Sequence, residues 1–387
     1  FLTTMGPALM ATKGYAAPEV ESAYRRAMEL CQELGDAPQQ FSALHGLWYV
    51  HYIRGELEAA RSLAEQLVDV AKGRPESGLD LAAHRSLGYS LNGLGELKAS
   101  RSYLERVITS YDPAVHGDYA FRHGGADPCV ASMSQSAWSD WALGHPDQAI
   151  ADYEDALALA RNLTHPFSET WAHTSAAVIH QLRGEPKATQ EHAEAAAAIA
   201  EELGFAVYVS WTSILRGWVL VEQGDGTEAV AEMRGAIDAS RATGAGLFMP
   251  YWLALLASVH GRLDQAQEGL VANAEALAQV DRTGERFWEA ELHRFKGQLL
   301  LENDAANESE AEACFHRAIE IARAQEAKSW ELRATTSLAR LWHAQGKPEE
   351  ARELLAPVYG WFTEGFDTAD LIEAKALLDD FGGRNAA

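Results

Sequence analysis

Five polar side chains crowd one stretch of the chain. His116, Asp118, Arg122, His123 and Asp127 lie between Tyr111 and Asp127, a segment that also holds Gly117, Gly124 and Gly125. Imidazoles beside carboxylates are potential metal or ligand donors, and loops on a rigid scaffold often carry function. His116 and His123 would meet at one ion only if the segment folds back on itself. Their spacing matches no established zinc pattern, so no metal is assigned. The alternative is a long connection whose charges are simply solvated, and His116, Arg122, His123 and Asp127 stand as loop candidates. His173 and His180, seven apart, share a face if their segment is helical; they would then point at one ligand or pack as internally satisfied histidines. Gly-x-x-x-x-Gly-Lys-Ser/Thr, His-Glu-x-x-His and Gly-x-Ser-x-Gly are all absent. Cys31, Cys129 and Cys314 form no Cys-x-x-Cys pair and are too few for a disulfide framework. The expectation is a chain that is not an enzyme and needs no cofactor.

The 387 residues carry 32 Lys+Arg against 56 Asp+Glu, a formal charge of -24. So acidic a chain lacks the positive field that nucleic acid or an anionic membrane demands. An apolar fraction of 47% is that of a packed protein rather than a disordered one. No apolar run reaches the 18 residues of a membrane span, and the cysteine usage suits a reducing cytoplasm. The chain opens on Phe1 without a signal-peptide pattern, and a fragment of a longer protein is expected.

What positions these residues is a repeat. A turn of the form Gly-x-x-x-x-(small) recurs as Gly55…Ala60, Gly95…Ser100, Gly144…Ala149, Gly184…Thr189, Gly224…Ala229, Gly261…Ala266 and Gly346…Ala351. Successive glycines are separated by 40, 49, 40, 40, 37 and 85 residues. The last interval is two periods, with Ala306…Ala311 at the missing turn, and Gly14 suggests one more unit at the start. Seven residues before most of these glycines stands another small residue: Gly88, Ala137, Ala177, Gly217, Ala254 and Ala339, with Trp48 the exception. Small residues there let two helices of a hairpin approach closely. Between turns the composition favours helix, and apolar residues recur at three- and four-residue spacing. Pro146, Pro186 and Pro348 follow the turns, as first-turn prolines do, while Gly35, Gly204 and Gly244 stand where a left-handed cap would end a helix. The expected fold is an all-α, right-handed superhelical solenoid of about nine hairpins with period near 40 and essentially no sheet.

A small residue in the first helix, a turn Gly and an early Ala in the second resemble tetratricopeptide repeats over nearly the whole chain. The period exceeds the family's usual 34, so each helix should be about a turn longer, as in the long-helix variety of bacterial signalling proteins. Segments Lys13–Glu21, Tyr111–Pro113, Gly284–Leu292 and Tyr359–Asp370 are similar to the C-terminal repeat region of large bacterial regulators, where a class III nucleotide cyclase or a DNA-binding domain precedes a signal-transduction ATPase. The resemblance implies the sensor or scaffold end of such a protein, with the upstream ATPase or cyclase domain as a partner.

Setting the turn Gly as position 15 of each unit, as the resemblance directs, puts positions 2, 5, 9, 12 and 13 on the concave face. The residues read there include His45, Tyr49 and Tyr52; Arg85, Tyr89 and Asn92; Ser134, Trp138 and Trp141; Trp171, Thr174 and Gln181; Trp211, Trp218 and Glu222; and Phe248 and Tyr251. The last two units offer His293, Lys296, Arg333, Arg340 and His343. The expected groove is aromatic and poor in acids at its centre and basic at its end, suited to a peptide or small-molecule effector. A stripe of Trp at helical spacing also reads as packing between first helices, and Trp48, Trp252, Trp288 and Trp330, off the concave positions, are assigned to packing. The expected organisation is one solenoid over 1–381, with an insertion at 111–127, a capping helix over 367–381 begun by Asp367, and a disordered tail at 382–387. The functional expectation is a sensing module of a bacterial cytoplasmic regulator. The alternative is a protein–protein scaffold with no small-molecule ligand.

Overall fold

A computed structural model describes residues 16–34, 37–72, 78–123 and 125–383. Among them there is no strand, and eight antiparallel helix hairpins follow one another. They are α2 (Ala37–Ile53) with α3 (Leu57–Ala71), α4 (Leu79–Gly93) with α5 (Leu97–Ser110), α8 (Pro128–Leu143) with α9 (Pro146–Leu163), and α10 (Pro166–Arg183) with α11 (Pro186–Leu203). Then come α12 (Ala206–Glu222) with α13 (Gly226–Ala242), α14 (Met249–Arg262) with α15 (Ala266–Thr283), α16 (Glu289–Asn303) with α17 (Glu308–Ala324), and α18 (Lys328–Ala344) with α19 (Pro348–Tyr359). Helix α1 (Pro18–Leu34) precedes the first hairpin, and α20 (Ala369–Gly383) follows the last. Gly14, Gly35 and residues 384–387 lie outside the described residues.

Local chemistry accounts for these hairpins. The turn glycines Gly55, Gly95, Gly144, Gly184, Gly224 and Gly346 all hold positive φ, which L side chains resist. Pro146, Pro166, Pro186 and Pro348 open helices where their missing N–H costs nothing. Close approach explains the small residues: a Cβ on Gly217 would sit 2.3 Å from Met233 Cγ.

Two units depart from the expected turns. The left-handed residue of the α14–α15 hairpin is Asp264, with φ 55°, and Gly261 lies inside α14. In the next hairpin the turn starts at Asp304, whose side chain caps a short 3-10 helix, Ala305–Asn307. Taking Asp264 and Asp304 as the turns restores steps of 40 after Gly224, and the small residues seven positions earlier become Ala257 and Gly297. The expected insertion holds two short helices, α6 (Pro113–His116) and α7 (Tyr119–His123).

The superhelix closes on itself after five units. Backbone N–H groups of Gly246 and Leu247, just before α14, donate to Ile53 O at the end of α2, at 2.9 and 3.0 Å. Arg286 and Phe287, before α16, do the same to Gly93 O at 2.7 and 3.2 Å. Ser329 Oγ donates to Trp141 O at 2.5 Å, and Arg333 Nη2 donates to Leu182 O. Glu364 accepts from the N–H groups of Asp147 and Gln148, capping α9 from the far end of the chain. Helix termini leave backbone groups without intrahelical partners. Here the second superhelical turn supplies partners to the first.

Candidate functional site

Closure decides the fate of the aromatic stripe. Trp138, Trp141, Trp171, Trp211 and Tyr251 are buried along with Trp48, Trp252, Trp288 and Trp330. Trp138, Trp171 and Trp211, on α8, α10 and α12, surround the Phe248 ring at centroid distances of 5.1, 6.3 and 5.3 Å. Trp141 meets Trp330 edge-on at 4.6 Å, and Tyr251 stacks on Trp288 at 4.2 Å. The aromatic groove expected on the concave face is thus filled, because the second superhelical turn packs into the axis. Phe248 holds φ 62°, rare for a bulky residue, and its N–H donates to Glu285 Oε2 at 3.0 Å. Burial pushes the Glu285 carboxyl up to about 8, against the opposing bonds from Phe248 N–H and Trp288.

The first units form a polar knot rather than a groove. Arg85 is buried, its Nη2 donating to Tyr49 Oη at 3.1 Å and its Nη1 to Ala126 O at 3.3 Å, with its guanidinium 5.9 Å from the Tyr89 ring. Tyr52 stacks on Trp48, and Tyr89 Oη donates to Ala131 O. Asn92 joins α4 to α8 by donating to Ser139 Oγ and accepting from Gln135 Nε2. Thr174 bonds back to Thr170 O within α10.

Loop candidates serve the loop itself where they are described. Asp127 is fully buried and caps α8, accepting from Cys129 N at 2.9 Å, Val130 N at 3.1 Å and Tyr111 Oη at 2.8 Å. Burial raises its carboxyl above the usual range despite those bonds. His116 Nδ1 accepts from Asp112 N at 3.0 Å. The side chains of Arg122 and His123 lie outside the described residues. His180 bonds Tyr153 Oη and Glu185, while His173 Nδ1 lies 3.0 Å from His192 Nδ1. Among the described residues no group of three or more potential donors is placed to hold a metal ion.

Among the described residues, a cavity of about 380 Å³ is bounded by α10, α12, α14, α16, α18 and α20. Gln181 and Trp218 from the expected groove reach it, as do Arg333 and Arg340 from the expected basic end. Its floor is an ion-pair network. Glu291, 4% exposed, accepts from Arg294 at 2.6 and 2.7 Å and from Arg333 Nη1 at 3.1 Å. Arg333 Nε also donates to Asp370 Oδ2 at 2.8 Å, and its guanidinium lies over Trp141 at 4.8 Å. Burial pushes the Glu291 carboxyl up, but Arg294 and Arg333 outweigh it and hold it below the usual range. Tyr251 Oη donates to Gln181 Oε1 at 2.7 Å, so the Gln181 amide nitrogen is left as a donor. Phe295, Leu299 and Trp218 supply apolar wall.

Glu291, Arg294, Gln298 and Glu302 line the cavity but fall off the concave positions when the turn is placed at Ala306. Counting from Asp304 places them at positions 2, 5, 9 and 13, where His293 and Lys296 had been expected. The same correction from Gly261 to Asp264 puts Ser258 and Gly261 at positions 9 and 12. The signal available was the 40-residue step from Gly144 through Gly184 to Gly224, which continues to Asp264 and Asp304.

This architecture is a solenoid of tetratricopeptide type. The tetratricopeptide repeat family model (TPR_4) matches residues 210–234 and 332–357, the α12–α13 and α18–α19 hairpins. Among solved structures, the Rap protein complexed with competence and sporulation factor superimposes with TM-score 0.62 at 10% identity, covering 98% of each chain. NprR in complex with its cognate peptide NprX gives 0.56 at 9% identity over 89% of this chain and 97% of that one. The apo quorum sensor NprR from B. thuringiensis gives 0.51 at 15% identity, covering 92% and 96%. At these identities the likeness is one of fold. Uncharacterized protein R02095 of Rhizobium meliloti (strain 1021) is 22% identical over 343 residues, 88% of this chain. The chain spans about a third of that relative's length.

Proposed function

We propose that this chain is a non-catalytic sensing module of a larger bacterial cytoplasmic signalling protein, and that it takes a short peptide into the cavity between its two superhelical turns. The observation that carries the reading is where the cavity lies: Gln181 and Gly184 belong to the first turn, Arg333 and Arg340 to the second, and Asp370 to α20. A ligand there touches both turns at once, and it biases an attached ATPase or cyclase domain by its difference in affinity between two arrangements of those turns. Two structures of the same fold were solved as complexes, NprR with its cognate peptide NprX and Rap with competence and sporulation factor. The aromatic residues act in this reading as the packed axis that couples the turns.

The test is a melting-temperature screen of the full chain against pools of short peptides, with intrinsic Trp fluorescence as the second readout. A peptide at about 100 times its dissociation constant adds roughly 2.7 kcal/mol to stability. Trp218, on the cavity wall, should report binding, and Arg294→Ala should weaken it at least tenfold. If no pool shifts melting or fluorescence, the sensing reading fails and a scaffold that docks proteins on its outer faces takes its place.

A further inference from the structure

The cavity has a direction. Its wall along α16 runs from Glu291 to Glu302, about 16 Å at 1.5 Å per residue, and along α18 from Arg333 to Arg340, about 10 Å. A slot that long with a volume of about 380 Å³ is narrow, the shape of one extended chain of roughly three to five residues at about 3.3 Å each.

Its two ends differ in charge. Toward the Glu291 end, Arg294 shares Glu291 with Arg333 and stands near Arg340 across from it on α18. Glu291 and Asp370 hold Arg333, and Arg340 is paired with Glu373 at the rim, where both side chains are half exposed. Burial and the neighbouring Arg294 depress the Arg340 guanidinium. At the other end α12, α14 and α16 all finish, presenting the negative ends of three helices. Glu302 and Glu222 stand there, with Asp264 close enough to raise the Glu302 carboxyl beyond what burial does. The cation among the lining residues at that end is Arg262, whose Nη1 is committed to Glu222 Oε2 at 3.0 Å. Glu222 Oε1 is buried without a partner. Gly261 keeps room for the Glu302 carboxylate, since a Cβ there would come within 2.9 Å of Oε2. On the α18 wall between Arg333 and Arg340, Thr336 is 5% exposed, and its hydroxyl has no partner.

We infer that this slot reads a short extended peptide lengthwise, taking a cationic group against Glu302, with the Glu222 charge behind it, and a carboxylate against Arg340 and Arg294. The inference rests on the peptide reading above and adds the ligand's polarity. Thr336 and the Gln181 amide are then left to bond the peptide backbone. The cation is an α-ammonium or a Lys or Arg side chain; the carboxylate is a C-terminus or an acidic side chain.

The experiment uses the full chain and pentapeptide pools built from uncharged residues, with free termini, N-acetylated or C-amidated, scored by affinity capture and mass spectrometry. Free-terminus peptides should be retained at least tenfold better than either blocked pool. In Glu302→Gln the penalty for acetylation should fall below twofold, and in Arg340→Gln so should the penalty for amidation. Both positions lie at the rim, so both variants should melt with the native chain. If acetylated peptides bind once Lys is placed first, or amidated ones once Glu is placed last, side chains are the source of that charge. Equal binding of all pools, or penalties that persist in both variants, overturns the polarity while leaving peptide sensing intact. Retention of no peptide from any pool, charged ones included, defeats both.

Discussion

Gly246→Ala tests superhelical closure directly. A Cβ on Gly246 would sit 2.3 Å from Arg54 O and 3.1 Å from Arg54 C. Both are backbone atoms and cannot swing aside, so the two superhelical turns must separate locally. That separation strains packing by about 1–3 kcal/mol. It also loosens the two bonds from Gly246 N–H and Leu247 N–H to Ile53 O, each worth about 1 kcal/mol net. Against this, Ala lowers the entropy of the unfolded chain and returns about 0.4–1 kcal/mol. The balance is a loss of roughly 2–4 kcal/mol. The matched control is Gly235→Ala in α13, where a Cβ meets nothing within 4 Å and helix propensity should add about 0.5–1 kcal/mol. Urea unfolding of the two variants measures the difference, and small-angle scattering should show Gly246→Ala larger than the native chain. If Gly246→Ala unfolds at the native midpoint with unchanged scattering, the two turns are not held together at this contact.

Three further outcomes follow from burial. Trp171→Ala should cost about 3–5 kcal/mol because it empties space beside Phe248 in the packed axis, measured by thermal unfolding. Glu285, at about 8 in the folded chain, binds a proton that the unfolded chain has lost between roughly pH 4.5 and 8; stability should therefore fall as pH rises through that window, and Glu285→Gln should flatten the fall. His173 and His192 run the other way. Burial lowers each to about 4, with Arg161 adding to both and the histidines His173 and His180 adding to His192. Their contribution is full above about pH 6.5 and is lost as pH drops toward 4, by up to about 3 kcal/mol per ring. His192→Gln should shallow that acid limb in a pH series of melting curves.

The hairpin repeat was legible because its signals are local. A left-handed turn selects Gly, a first-turn position accepts Pro, and a close helix crossing demands a small residue, all within a few residues of one another. The slips at Gly261 and Ala306 show the limit of that reading. Asp264 can occupy the left-handed region that Gly usually fills, and a 3-10 turn can lengthen a hairpin, so composition alone put the turn in the wrong place.

The candidate site was less legible. The concave register did place Gln181, Trp218, Arg333 and Arg340 on the cavity wall, because one helix face is a matter of periodicity. Periodicity does not say what lies across from that face. Whether Trp138 and Trp171 meet a ligand or Phe248 depends on the pitch of the superhelix, and pitch accumulates from small rotations at every hairpin. By itself the sequence determined the helices, their pairing and, outside α14 and α16 where the turn was misplaced, the face each one turns inward. The tertiary structure alone decided that the second turn seals the aromatic axis of the first, leaving the charged slot beside α16 open, because that outcome depends on contacts five units apart.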